Sequence, residues 1–284
     1  MAIPGGVWSE GAAGTDQLRR EVTLRAVTGE DEAFLLESAD DLAPSLRATA
    51  LLERCIDEPD VAASAHALTV GDREALLLHL RRLTIGETLD CVLACPADSC
   101  GERMELALPV AGLMVPPYRD VRREHELTVD VEGARYAITF RLPSAADLDA
   151  IGPIARRDPE MGAAALAERC ISRVTRDDAP LAAAELTTAA RAALAEAMAE
   201  RDPQAEIELE LTCPACGTAF SALFDTASFF VQELEARAAQ LLHEVHTLAW
   251  HYHWSERDIL QMPRRRRERY LAMVADRVAR TRAG

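Results

Sequence analysis

The chain has 284 residues, 49% of them hydrophobic, and a formal net charge of −16. That length suits one large domain or two small ones, and so acidic a balance repels phosphate backbones, which places nucleic-acid binding low among the function classes. No apolar run reaches the roughly 20 residues that a membrane helix needs, and Met1–Thr15 lacks the basic-then-apolar pattern of a signal peptide. The expectation is a cytoplasmic protein, in which seven cysteines point to thiols or metal rather than disulfides.

In chain order, residues 1–20 are expected to form a flexible N-terminus. Val22–Arg25 is strand-like and leads through a polar turn into an acidic helix start. A helical stretch follows that contains Glu53-Arg54-Cys55-Ile56. Leu76, Leu77, Leu80 and Leu83 share a helical face in the next element, Gly71 to Arg82 and its end. Thr88–Ala94 alternates, with Leu89, Cys91 and Leu93 facing one way, and predicts a strand. It runs into Cys95-Pro-Ala-Asp-Ser-Cys100-Gly101.

The same order then recurs. Ile138–Arg141 resembles Val22–Arg25, and Glu168-Arg169-Cys170-Ile171 repeats Glu53–Ile56. Ala189–Glu200 falls on the Gly71–Arg82 helix, and Glu206–Thr212 on the Thr88–Ala94 strand. Cys213-Pro-Ala-Cys216-Gly217 closes the series, with Cys213 lying 118 residues after Cys95. The expected fold is α+β, with two pseudo-repeated halves (residues 21–115 and 126–226) sharing a four-cysteine, zinc-ribbon-like site. A C-terminal helical segment (residues 227–284) follows.

Two thiolates on a tight turn after a strand make a zinc knuckle. A glycine after the second cysteine permits the left-handed backbone that aims amides at sulfur. Cys95, Cys100, Cys213 and Cys216 are therefore the expected ligands of a structural Zn²⁺. Four thiolates leave no open position for substrate, and their binding energy becomes folding energy. Cys55 and Cys170, at equivalent helix positions, read as buried structural thiols, and Cys91 as a structural residue of the strand before the knuckle.

Phe229–Tyr252 predicts one long amphipathic helix with Phe230, Leu234, Ala238, Leu241, Val245, Leu248 and Tyr252 on a stripe. Ser255 is a suitable N-cap for a short helix that Pro263 interrupts, and a last basic helix carries Leu271, Val274 and Val278 on one face. Trp250, Tyr252, His253, Trp254, Arg264 and Arg267 are the candidate partner-binding residues, because Trp, Tyr and Arg are enriched at interfaces. His243-Glu-Val-His246 misses the i, i+4 spacing of a zinc hydrolase by one residue, which leaves hydrolysis by that cluster a minor alternative. A zinc-ribbon nucleic-acid binder using Arg264–Arg267 is the other. No nucleophile elbow or phosphate-cradling loop is present.

Several stretches carry a family resemblance. They are Val22–Arg25, Leu52–Ile56, the first knuckle and Phe140–Asp147, then Arg201–Glu206 running into Leu211–Gly217. Glu244–Ser255, Ile259–Arg264 and Arg267–Leu271 complete the set. Together they resemble the phage baseplate proteins related to the T-even baseplate hub assembly protein, a family that also occurs with phage-like contractile injection systems. The resemblance implies a non-enzymatic assembly chaperone or minor structural component of the baseplate hub. Its partners would be hub or spike proteins, and it would be cytoplasmic or incorporated into the assembled particle. The four knuckle cysteines carry over as zinc ligands by the same resemblance, and no catalytic residue does.

Overall fold

The computed structural model describes residues 1–10 and 16–283. A hairpin of β1 (Ala2–Glu10) and β2 (Asp16–Glu21) opens the chain. The flexible N-terminus expected over residues 1–20 is thus corrected, although residues 11–15 of that span lie outside the described residues. Asp72 holds the hairpin by accepting from the Gly5 and Gly6 amides at 2.7 and 2.9 Å. Those contacts satisfy the buried Gly5 donor and the half-buried Gly6 donor, which the hairpin leaves without a backbone partner.

Four helices follow, α1 (Gly29–Glu37), α2 (Pro44–Cys55), α3 (Pro59–Ala62) and α4 (Val70–Thr84). The strand expected at Val22–Arg25 is reduced to one bridge, Leu24 to Ile56. The cause is local: Pro59, three residues past Ile56, sits at the first turn of α3, where its fixed φ starts a helix and ends the extended run. Next come β3 (Thr88–Ala94) and β4 (Arg103–Pro109), an antiparallel hairpin with the first knuckle at its turn.

The second half places β5 (His125–Val131), β6 (Ala134–Phe140), β7 (Ile171–Arg176) and β8 (Ala179–Pro180) in one antiparallel sheet. Between β6 and β7 lie α5 (Ala145–Ala155) and α6 (Pro159–Cys170). Here no proline follows Ile171, and Ser-Arg-Val-Thr-Arg stays extended to pair with β6. Then α7 (Thr188–Arg201) leads to β9 (Glu208–Thr212) and β10 (Ala219–Leu223), the hairpin of the second knuckle.

The long C-terminal helix expected from the sequence is two helices, α8 (Thr226–Ala238) and α9 (Leu241–Tyr252). The stripe is real but its halves serve different cores. Phe230 and Leu234 pack with Leu51, Leu52, Leu76 and Leu80, so α8 belongs to the first core rather than to a separate tail. Leu241, Val245 and Leu248 pack with Ile259, and with Tyr270 and Leu271 beside them. The chain bends at Ala239 and Gln240, and Arg264 Nη1 donates to the Arg237 carbonyl that the ended helix leaves open, at 2.8 Å. Ser255 caps α10 (Glu256–Leu260), its hydroxyl accepting from the Asp258 amide. The last helix, α11 (Arg264–Ala283), starts just after Pro263.

A second core lies under the four-stranded sheet, where Tyr136, Ile138 and Phe140 meet Cys170, Ala190 and Leu194. A third lies between the two knuckle hairpins, where Leu89 and Leu209 pack with Leu78 of α4. The hairpins therefore stack through their apolar faces, which brings the two turns together.

Candidate metal centre

Each knuckle is a hairpin turn closed by the same kind of bond. The Cys95 amide donates to the Glu102 carbonyl at 2.8 Å, and the Cys213 amide to the Thr218 carbonyl at 2.9 Å. Gly101 and Gly217 have φ of 60° and 74°, in the left-handed region where a Cβ is disfavoured. That conformation turns following amides back toward sulfur: Glu102 toward Cys100 and Thr218 toward Cys216, while Ala97 serves Cys95.

The four sulfurs lie within 4.8 Å of one another. Cys95 Sγ is 3.6 Å from Cys216 Sγ, and Cys100 Sγ is 3.8 Å from Cys213 Sγ. A disulfide needs about 2.05 Å, whereas thiolates 2.3 Å from a central zinc in a tetrahedron stand about 3.8 Å apart. The spacing fits the second arrangement, and the inward amides supply the outer hydrogen bonds that thiolate ligands require. Met104, Leu93 and Phe220 pack around the cluster.

The site's electrostatics point the same way. Hydrogen bonds from the Thr218 hydroxyl and amide pull Cys216 down to about 6. The Ala97 amide favours the Cys95 thiolate, but burial and the neighbouring sulfurs push that thiol up to about 12. Four adjacent thiols cannot all ionise unaided; a dication removes that conflict. The longer spacer of the first knuckle is absorbed in its turn, where the Cys100 amide donates to the Ala97 carbonyl at 2.9 Å.

The other three cysteines stand apart. Cys55 and Cys170 are buried at the ends of α2 and α6, and burial pushes their thiols up to about 12 and about 11. Cys91 is half-buried on β3.

The candidate partner residues divide. Trp250 is 72% exposed and His253 is exposed at the end of α9. Tyr252 and Trp254 instead stack on each other, ring centroids 4.6 Å apart, and both meet the Tyr270 ring edge. Arg267 has no exposed side-chain surface. Its Nη2 donates to Glu32 at 2.6 Å and its Nε to Glu244 at 2.9 Å. Arg264 reaches Glu244 at 3.5 Å and Glu268 at 2.9 Å. Of the expected surface anchors Arg267 is therefore corrected to a buried ion-pair residue, while Arg264, Tyr252 and Trp254 are partly covered by these contacts. Their spacing puts them on the face that closes over α1, which their residue types alone did not reveal. His243 and His246 are exposed on α9, and His246 lies against Trp250. Among the described residues the metal-sized convergence is that of the four cysteines.

No helix of the described residues is long and apolar enough to cross a membrane. No curated protein and no solved structure matches the chain. The family profile described as T4 bacteriophage base plate protein matches residues 13–231, which includes both knuckles. The motifs from Glu244 to Leu271 that entered the resemblance lie beyond the matched span. With more than half of its length matched, the chain belongs to the T4 bacteriophage base plate protein family.

Proposed function

We propose that the protein is a non-enzymatic, zinc-stabilised assembly chaperone or minor structural component of the baseplate hub of a phage tail or phage-like contractile injection system. Its partners are hub or spike proteins. The observation that carries this reading is the family match over residues 13–231. The four converging cysteines support its structural half. Cys95, Cys100, Cys213 and Cys216 would hold Zn²⁺ as thiolates. The ion supplies a closed crosslink with no coordination position for substrate. Joining two hairpins so far apart in the chain stiffens a scaffold without a large interdomain core.

We also infer that the two halves are copies of one ancestral unit. In each, an arginine and a buried aspartate pair at 2.5 Å, Arg25 with Asp31 and Arg141 with Asp147. A second arginine, Arg54 or Arg169, joins the same aspartate at 2.9 Å. Each aspartate closes a capping box with Thr28 or Ser144. Recurrence of this set in sequence order supports duplication.

The test is affinity purification of the tagged protein from its native cells, with mass spectrometry of soluble lysate and sedimented particles. Hub, spike or wedge proteins are the expected companions. Recovery in particles identifies a component, and recovery only in lysate identifies a chaperone. Recovery of nucleic acid or metabolic enzymes alone overturns the assembly reading and leaves the zinc scaffold.

A further inference from the structure

We propose that one face of α11, formed by Arg266, Arg269, Met273, Arg277 and Arg280, is a docking strip for an acidic amphipathic helix on a partner protein. These residues recur at spacings of three and four, so they line up along one side of the helix. The strip is about 21 Å long at 1.5 Å per residue. All five are exposed, Met273 at 61%. None of the four arginines has an ion-pair partner among the described residues.

The structure distinguishes this face from the rest of the helix. Arg264 and Arg267 point inward to Glu32 and Glu244, and Arg265 donates to the Ile85 carbonyl at 3.0 Å. Three of the four arginines of the run are thus spent on the body, and what α11 offers outward is a spaced line of cations around one methionine, with the exposed Asp276 beside Arg277. An open groove of about 830 Å³, lined by Arg265, Arg266, Glu268, Arg269, Tyr270 and Met273, runs beside it, and its one carboxylate, Glu268, is already paired with Arg264.

Charge complementarity selects the occupant. The helix carries eight arginines and two acidic residues in a chain of net charge −16. An acidic surface is what such a strip attracts locally, while the chain's overall charge repels every polyanion at long range and most strongly a phosphate polymer, whose charges are packed most densely. An exposed methionine at the middle of the line calls for an apolar group opposite, as in a protein interface, where Arg and Met are both enriched. A helix with carboxylates at the same three- and four-residue spacing around a central leucine meets both demands. That the occupant is protein rests on the baseplate reading.

The test uses the whole 284-residue chain, loaded with zinc. A fluorescein-labelled synthetic peptide, with glutamates at three- and four-residue spacing around one leucine, is titrated by fluorescence anisotropy. A short DNA duplex and phosphatidylglycerol-containing vesicles are titrated in parallel. The peptide is expected to bind tightest. The combined change R266Q, R269Q, R277Q and R280Q is expected to weaken it about thirtyfold, and Met273→Ser about fivefold. Both variants should keep the wild-type melting temperature and zinc content. Equal peptide binding by the fourfold variant, or tighter binding of DNA or vesicles, overturns the proposal. Affinity purification separates the two readings. Baseplate proteins recovered equally by wild type and fourfold variant refute the strip alone. Their absence from the wild-type pull-down refutes the assembly role, and the titration still decides the strip.

Discussion

Arg267 donates to Glu32 and Glu244 with none of its side chain in contact with water. Removing one member of such a buried set strands the others. Arg267→Ala is expected to destabilise the fold by about 3–5 kcal/mol, read by urea denaturation. The triple change E32Q, R267M and E244Q should recover most of that loss, because no charge is left uncompensated. At the knuckles, Gly217→Ala meets open space but a φ of 74°. The expected cost is about 1 kcal/mol with zinc retained. Cys213→Ser should lose the metal and a larger share of stability, measured by elemental analysis and thermal melting. Full metal content in that variant would refute the clamp. The cysteines were legible in the sequence because their turn chemistry is local. The role of Arg267 was not, since its partners lie 235 and 23 residues away, and an arginine-rich run reads as surface.

Three segments follow their sequence pattern closely. The β3 strand occupies the expected residues, and α4 and α7 extend only slightly beyond them. The structure departs from the pattern at the first hairpin, at Val22–Arg25 where Pro59 ends the extended run, and where one apolar stripe serves two cores. The stripe from Phe230 to Tyr252 keeps a helical period across the bend, so periodicity alone could not show that Ala239 ends a helix. The hairpins β3–β4 and β9–β10 are each two-stranded, a form that is marginal alone. Chelating the metal is therefore expected to strip hydrogen-exchange protection from both hairpins while α4, buried along most of its length, keeps its own. Unchanged protection in the hairpins would show that their apolar stacking suffices.

Across the whole molecule, the halves are tied at Asp202. Its carboxylate accepts from the Gly71 amide at 3.0 Å and the Tyr118 hydroxyl at 2.6 Å. Tyr118 in turn donates its amide to Pro4 and accepts from the Gln204 amide. Burial pushes Asp202 up to about 6, against the hydrogen bonds that favour its charge, and Asp72 adds to the rise. A raised folded value means that the folded state holds the proton more tightly than the unfolded one. The stabilisation from this group is complete below about pH 4 and is lost as pH rises through about 6. Asp202→Asn cannot titrate, so the stability difference between wild type and variant should shift by about 2 kcal/mol against wild type from pH 4 to pH 7. A pH-independent difference in urea midpoints would contradict the assignment. Such long-range ties were beyond the sequence, where Asp202 enters only as part of the Arg201–Glu206 stretch of the resemblance.

The contact between Glu32 and Arg267 also has a temporal side. Ribosomes deliver the chain from its N-terminus at about 5–20 residues per second, so Glu32 emerges long before its counter-ion. Until α11 follows, the start of α1 carries a carboxylate with no cation to meet it, and the turn at Met262 that accepts from the Gly29 amide is missing as well. A chain cut short by a nonsense codon or by proteolysis would remain in that state. Closure by α11 thus completes α1, and quality-control proteases would meet copies cut short before α11 as unfinished.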